Sequence, residues 1–495
     1  MLLLSLVLLL SCDALSFVPF EVVTPTGFKL LRSSANSSLF EVQLPTTTRV
    51  RYADLPMVLS LSGSRKQVGF DYAALLHVEA SETIGMFLSS LGLTATEQSL
   101  LTAFLDFTWD TLLEPHVDQK FLDELAGMDS FTVPAGVTPT GTVSRRFFAL
   151  ANMPADPQNI ISMLENDLED GLPEWLKNTI NTIIKWLERI VFKSCDAFSA
   201  WGPRTVGGDL FSSRNLDYNS DTGINKHKLV VVYSLPGVPK YASLGFTFGM
   251  GALAGISTQG VTVSEMNLDN SVVTFKGPPF PLRLRKVLEE ASNLQQALAV
   301  WNATQNTNSF NFLIASAADK KAVALETIRG FTQVYADNSP IEAAATVDCS
   351  GDSPDAKACP KWTSQTGTVH IGSPIANAVY RSNHAFSPRI YPTQEPLFNN
   401  TVVRYQLQHD LISGLTNSGQ LIGDNEAIGI VATLGTKGPD YFTCSPHGEG
   451  DNVMSIAYAP RVGGGHFYVA WESGSGASWQ PAACSPYVRF DLKAW

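Results

Sequence analysis

The chain has 495 residues, 44% of them hydrophobic and 16% charged, with a formal net charge of −12. That length supports two or three domains, or one large layered domain with an extra lobe, and the composition supplies a sizeable core. The acidic balance and the lack of any basic stretch exclude nucleic acid as an expected partner.

Met1 to Leu10 is almost purely Leu, Val and Ser, and Ser11-Cys12-Asp13-Ala14 follows. This reads as the apolar core and exit of a signal peptide over residues 1–16, although a positive start is missing. Leu9-Leu10-Ser11-Cys12 also loosely resembles a bacterial lipobox, which stands as a rival reading. No later segment reaches the ~20 apolar residues needed to span a bilayer, so a soluble or peripheral protein, secreted or lysosomal, is expected. Sequons at Asn36, Asn302 and Asn399 agree with secretion.

Residues 17–155 read as an α+β lobe. Phe20 to Val23 and Leu39 to Leu44 look like short strands. Tyr72 to Leu91 and Ala95 to Leu113 carry apolar residues at helical spacing, the second with Thr94 and Glu97 placed as a capping box. From Asn159 to Ile190 an apolar stripe runs through Ile160, Ile161, Leu164 and Leu168, then Trp175, Ile180, Ile183, Ile184, Leu187 and Ile190. Gly171-Leu172-Pro173 interrupts it, which predicts two amphipathic helices. They either face the core or offer an apolar surface to lipid, a membrane or a micelle.

After residue 194 the pattern changes. Short β-type runs recur at 229–233, 242–248, 260–265, 311–316, 322–326, 331–335, 453–458 and 466–471. Helical stretches at 282–301 and 402–415 interrupt them. Many strands of buried character with few helices suggest stacked sheets with helices outside.

Six cysteines are present. Cys12 belongs to the signal segment. With Cys195 set aside as a free thiol, Cys349, Cys359, Cys444 and Cys484 remain, an even number that suits disulfides in an oxidising compartment. Local pairing, Cys349 with Cys359 and Cys444 with Cys484, is preferred among the three possible arrangements.

The change of pattern falls at Cys195-Asp196-Ala197-Phe198-Ser199-Ala200-Trp201-Gly202. A loop with Gly202, Pro203, Gly207 and Gly208 follows, then Ser213-Arg214-Asn215-Leu216-Asp217-Tyr218. Cutting the chain before Cys195 would free an α-amine beside its own thiol. The two titrate near ~7.7–8 and ~8.5, a pair matched for proton transfer near neutrality. A cysteine, a hairpin loop and an Arg-Asn-x-Asp string resemble the start of the catalytic subunit of cysteine N-terminal-nucleophile (Ntn) amidohydrolases. That branch includes acid ceramidase, N-acylethanolamine acid amidase, choloylglycine hydrolase and the acyl-CoA:6-aminopenicillanate acyltransferase group. The resemblance covers roughly residues 190–490.

What it implies is a four-layer αββα sandwich with an N-terminal, mostly helical lobe. The chain would then divide into residues 1–16, an α-subunit over 17–194 and a catalytic β-subunit over 195–495, two chains from one precursor. Cys195 would be the nucleophile, with Arg214 and Asp217 orienting its amine and the substrate. The second cluster, Arg381-Ser382-Asn383-His384, resembles the family's Thr-Asn-His string with Ser for Thr, and makes Asn383 the oxyanion donor. Arg404 matches an arginine that follows near a helix start, with Thr401 as its expected N-cap. Asn267 is either a second oxyanion donor or a turn residue. Glu326 reads as structural.

The glycines from Gly245 to Gly251 form neither a phosphate-binding loop nor a dinucleotide turn, and fit close packing better. No Gly-x-Ser-x-Gly elbow and no His-Glu-x-x-His spacing occurs, so neither a serine hydrolase nor a metal hydrolase is expected, and no cofactor. The expected function is hydrolysis of a linear amide of an N-acyl amine, N-acyl amino acid or ceramide-like lipid. Two alternatives stay open, acyl transfer to an amine and a non-catalytic secreted binding protein.

Overall fold

The computed structural model describes residues 17–45, 56–154, 159–168, 194–218, 225–397, 400–436, 452–474 and 478–495, with isolated positions between them. The expected signal segment, the Asn399 sequon, and Trp175, Ile183, Leu187 and Ile190 of the second predicted amphipathic helix lie outside the described residues.

The first part of the chain forms strands β1 (Val22–Val23), β2 (Gly27–Ser34), β3 (Ser37–Gln43) and β4 (Met57–Ser62). Helices α1 (Arg65–Ser90), α2 (Ala95–Phe107), α3 (Gln119–Asp129), α4 (Thr140–Ala151) and α5 (Asn159–Asp167) follow. The capping box forms: Thr94 Oγ1 accepts from the Glu97 backbone N–H, and Glu97 accepts from that of Thr94. Beyond Phe107 the predicted helix continues with wider winding to Leu113. The α5 stripe turns inward, with Ile160, Met163 and Leu164 buried. Its last residue, Asp167, accepts from Thr274 Oγ1 and the Phe275 N–H, both at 2.6 Å. So α5 is a core-facing helix, the first of the two readings.

The second part begins with β5 (Ser194–Ala200), β6 (Phe211–Asp217), β7 (Lys228–Ser234), β8 (Tyr241–Phe246), β9 (Ala254–Ser257) and β10 (Val261–Asn267). Helices α6 (Phe280–Glu290) and α7 (Leu294–Asn302) come next. The sequence read these as one helical stretch. The chain breaks at Ala291, and Asn293 caps the second piece through its side chain. Strands β11 (Phe310–Ser316), β12 (Lys321–Ile328) and β13 (Phe331–Tyr335) precede α8 (Pro340–Ala343), β14 (Thr346–Asp348), β15 (Thr368–His370) and β16 (Ala378–Arg381). The chain closes with α9 (Thr401–Asn417), α10 (Asp424–Gly435), β17 (Asn452–Arg461), β18 (Gly464–Trp471) and β19 (Tyr487–Asp491).

Among the described residues, two large sheets form, in the orders β1-β19-β18-β17-β6-β5-β16 and β13-β12-β11-β10-β9-β8-β7-β4-β3-β2. They stack face to face, with β5 and β6 against β10. Helices α6 and α7 cover the outside of the longer sheet, and α9 and α10 that of the shorter one. The fold is α+β, an αββα sandwich. Strands β6, β10 and β11 are buried along their whole length, as strands covered on both faces must be. Residues before Cys195 enter both sheets: β1 pairs parallel with β19, and β4 pairs parallel with β7. Among the described residues, no helix is long and apolar enough to cross a membrane.

A buried ionic cluster joins the N-terminal helices to the sandwich. Arg285 of α6 meets both carboxylate oxygens of Glu124 of α3 at 2.7 Å. Glu289, one turn on, binds Arg65 of α1 and Lys120 of α3, each at 2.7 Å, and accepts from Tyr241 Oη. Burial works to raise the Glu289 carboxyl, but Arg285, Arg65 and Lys120 override it and hold it well below the usual carboxylate range. Both expected disulfides form, Cys349–Cys359 and Cys444–Cys484, with Cα separations of 5.8 and 5.5 Å. Cys195 is free and buried. Asn36 and Asn302 are exposed.

Candidate active site

The hairpin loop between β5 and β6 depends on its glycines, since Gly202, Gly207 and Gly208 take φ of 62°, 66° and 65°. The loop returns the chain antiparallel, so Cys195 lies opposite Leu216. Period-2 alternation then puts Cys195 on the face that carries Arg214 and Leu216 and looks across to the longer sheet. A register shift between Asn452 and Met454 of β17, a β-bulge, sits beside the Asp217 end of β6.

On the other side of β5, β16 pairs with Arg381 opposite Ala197. Two residues further along, Asn383 therefore arrives beside Cys195, although 188 positions separate them. Asn383 Oδ1 accepts from the Cys195 backbone N–H at 2.7 Å and from Arg404 Nη2 at 2.8 Å. Its Nδ2 donates to the Asn267 carbonyl at 2.7 Å. Two donors on Oδ1 and an acceptor at Nδ2 assign the amide orientation.

Arg404 stands in the first turn of α9. Its Nη1 donates to the Cys195 carbonyl at 2.6 Å. Thr401 does not cap the helix as expected. Asn400 occupies the cap position, and Thr401 turns its hydroxyl inward, accepting from the Asn383 backbone N–H at 3.0 Å. The gain is direct support for the Asn383 backbone.

Arg214 crosses the gap between the sheets. Its Nε donates to the Glu265 carbonyl at 2.9 Å, and Nη2 pairs with the Glu265 carboxylate at 2.5 Å. Nη1 is buried without a hydrogen-bond partner. Burial raises the Glu265 carboxyl, and Arg214 opposes that. Asp217 accepts at Oδ1 from Asn452 Nδ2 at 2.8 Å, while its backbone N–H points to the Cys195 sulfur. Burial first and then Glu265 push the Cys195 thiol up to about 12, with Arg214 pulling the other way. The thiol is therefore protonated near neutrality and needs a base.

The structure thus gathers Cys195, Arg214, Asp217, Asn383 and Arg404 around one point. Asn267 contributes its carbonyl, and its side chain donates to Asp269 at 2.6 Å. Glu326 stands apart, accepting from the backbone N–H groups of Phe386 and Ser387 and from Tyr335 Oη, each at 2.9 Å, a structural anchor. Sequence reasoning missed Glu265. A lone buried acid in a strand of Val, Thr, Ser and Met was the available signal.

A narrow apolar cleft of about 40 Å³ lies beside Leu216, the residue opposite Cys195 in the β5–β6 pair. Leu216 and Glu265, with Phe147, Leu150 and Ala151 of α4 and with Phe248 and Phe280, line it. The glycine run supports this lining by close packing: a Cβ at Gly249 would stand 2.6 Å from the Phe147 ring.

The family model of acyl-coenzyme A:6-aminopenicillanic acid acyl-transferase matches residues 204–347, a stretch that contains Arg214, Asp217 and Glu265. The match agrees with the resemblance to the Ntn hydrolase superfamily; it includes the Arg214–Asp217 string and leaves out Cys195, Asn383 and Arg404. Protein dcd1B of Dictyostelium discoideum is 22% identical over 293 residues, 58% of this chain. The match spans about half, 53%, of that relative's length. Similar solved structures include two. One is a Caenorhabditis elegans ortholog of N-acylethanolamine-hydrolyzing acid amidase, 15% identical with a TM-score of 0.36, covering 54% of this chain and 93% of that one. The other is a mutant of the conjugated bile acid hydrolase of Clostridium perfringens, 12% identical with a TM-score of 0.35, covering 61% and 93%.

Proposed function

We propose that the chain cuts itself before Cys195 and then, with Cys195 as N-terminal nucleophile, hydrolyses the linear amide of an N-acyl amine, N-acyl amino acid or ceramide-like lipid. The observation that carries this reading is the grip on the Cys195 backbone. Asn383 holds its nitrogen and Arg404 its carbonyl, both from buried side chains. Backbone groups inside a strand are usually taken by the neighbouring strand; here two side chains take both, an arrangement that would keep the nitrogen aimed once it became an α-amine.

In self-cleavage, Sγ attacks the Ser194 carbonyl carbon, its proton passes to the Cys195 nitrogen, and the Ser194–Cys195 C–N bond breaks, giving a thioester and a free amine. Water opens it, leaving a carboxylate on Ser194 and a free amine and thiol on Cys195. In turnover that amine takes the thiol proton as sulfur attacks the acyl carbonyl, then gives it to the leaving amine. Water hydrolyses the acyl thioester. Asn383 keeps the Cys195 amine oriented through Oδ1, and the second N–H of its Nδ2 is our candidate oxyanion donor, alongside Arg214 Nη1. The acyl chain occupies the apolar cleft. Two disulfides support a secreted or lysosomal setting.

The test is mass spectrometry of the purified protein together with product analysis on N-acyl amides, with and without an added amine. Two chains, beginning near residue 17 and at Cys195, and free fatty acid as product support the proposal. A single uncut chain overturns it and favours the binding-protein reading. Transfer of the acyl group to the added amine, the reading favoured by the acyl-transferase family model, replaces hydrolysis in the last step only.

Asn383→Ala is expected to lower turnover by about 10²–10³, the usual loss for one oxyanion donor, and to slow self-cleavage, because the Cys195 nitrogen loses its acceptor. Wild-type turnover would remove Asn383 from the site. Ala151→Phe places a ring inside the cleft. Excluding two methylenes costs about 1.6 kcal/mol, so kcat/KM for long-chain amides should fall about 15-fold while short-chain turnover stays unchanged. Equal losses on both would show that the cleft is not the acyl site.

A further inference from the structure

We infer that Asp196, next to the nucleophile but on the opposite face of β5, is a positioning residue that ties Arg404 on one side of the reaction centre to Asp217 on the other. The inference rests on the reading of Cys195 as nucleophile. Asp196 is fully buried. Its Oδ1 accepts from Asn215 Nδ2 at 3.0 Å. Its Oδ2 has no hydrogen bond and faces Arg404 Nη1 at 3.5 Å. That guanidinium is the one that holds the Cys195 carbonyl and Asn383 Oδ1.

The other arm runs through amides. Asn215 Oδ1 accepts from Asn452 Nδ2 at 3.3 Å, and the same Nδ2 donates to Asp217 Oδ1 at 2.8 Å. Backbone groups lock both amides: Asn215 donates to the Val431 carbonyl of α10 at 2.9 Å, and Asn452 accepts from the Ala483 N–H at 2.8 Å. Asp196 is thus the charged member of a buried path whose two ends are the residues that hold the Cys195 backbone and face its sulfur. A carboxylate buried to neutralise Arg404 alone would not need the Asn215–Asn452 arm.

The groups facing Asp196 are Arg404 from α9, Asp217 from β6 and Tyr487 from β19. Burial pushes the Asp196 carboxyl up to about 7; Arg404 and the Asn215 hydrogen bond pull it down, and Asp217 pushes it up. Below that pH the proton removes the attraction that aims Arg404. Activity should therefore rise with pH as Asp196 ionises.

The test compares kcat and KM against pH, and the self-cleavage rate, in wild type, Asp196→Asn and Asn215→Ser, with melting curves to confirm folding. Asp196→Asn should lower kcat by about 10- to 100-fold with KM changed less than about threefold, and should remove the limb that belongs to this carboxyl. Asn215→Ser removes a hydrogen bond that favours the ionised form, so the limb should move to higher pH. Should Asp196→Asn fail to fold, the Asn215→Ser profile decides alone. An active wild type with unshifted profiles in the folded variants overturns this inference only. A wild type that neither cuts itself nor turns over amides removes the nucleophile reading, and this inference with it.

Discussion

Cys195→Ala should run as one uncut chain and lose amide turnover by about 10⁶-fold, the scale on which removing a catalytic nucleophile acts. In the proposed mechanism the same atom serves both reactions, so both should fail together. The sulfur has a supporting environment: the Asp217 N–H points to it, and the charges of Arg214 and Glu265 act on it from across the gap between the sheets. The substitution removes only the sulfur from a packed strand, so folding should survive. Gel mobility and mass spectrometry read the cleavage, and fatty-acid release reads the turnover. A Cys195→Ala protein that still appears as two chains would show cleavage by another protease, and residual turnover near wild type would end the nucleophile assignment. Cys195→Ser separates the roles further. A hydroxyl is a weaker nucleophile than a thiol and keeps at most slow cleavage.

Arg285→Met should destabilise the protein by about 3–5 kcal/mol, the cost of leaving buried charge without its partner. Arg285 faces Glu124 and Glu289 at once and is itself fully buried. Glu289 is held ionised against burial chiefly by this guanidinium. Its depressed carboxyl contributes stability that is present above the ordinary Glu range of about 4.3 and is lost as pH falls below it. The Arg285→Met deficit should therefore be larger near neutrality than in strong acid. The cluster also spans the segments before and after Cys195, so in the cleaved protein its loss should let the chains separate at lower denaturant. Both disulfides lie after Cys195, and reduction should not separate them. Urea melts at two pH values and size-exclusion chromatography measure these effects. An unchanged midpoint would show that Arg65 and Lys120 suffice to neutralise the two acids.

Much of this was legible in the residues. The β-type runs after residue 194 appear as strands because alternation and β-branched content are local properties. The Thr94–Glu97 box was readable because its two side chains act within one turn. Helix α10 was not: Ala427 to Leu434 is buried all round, so no polar face marks a 3.6-residue period. Strand β4 was missed for a related reason. Its partner β7 lies far along the chain, and nothing within Met57–Ser62 names that partner.

The sequence by itself determined the candidate nucleophile, the order of the clusters Arg214–Asp217, Asn383 and Arg404, and the four cysteines left to pair. These depend on residue type and short spacing, which a chain displays without folding. Only the tertiary structure decided that Asn383 holds the Cys195 nitrogen, that Glu265 partners Arg214 and that Asp196 sits between Arg404 and Asn215. Each follows from strand register across two stacked sheets. A register brings together side chains up to 188 positions apart in Cys195 and Asn383, and a buried charge discloses its role only through the partner that neutralises it.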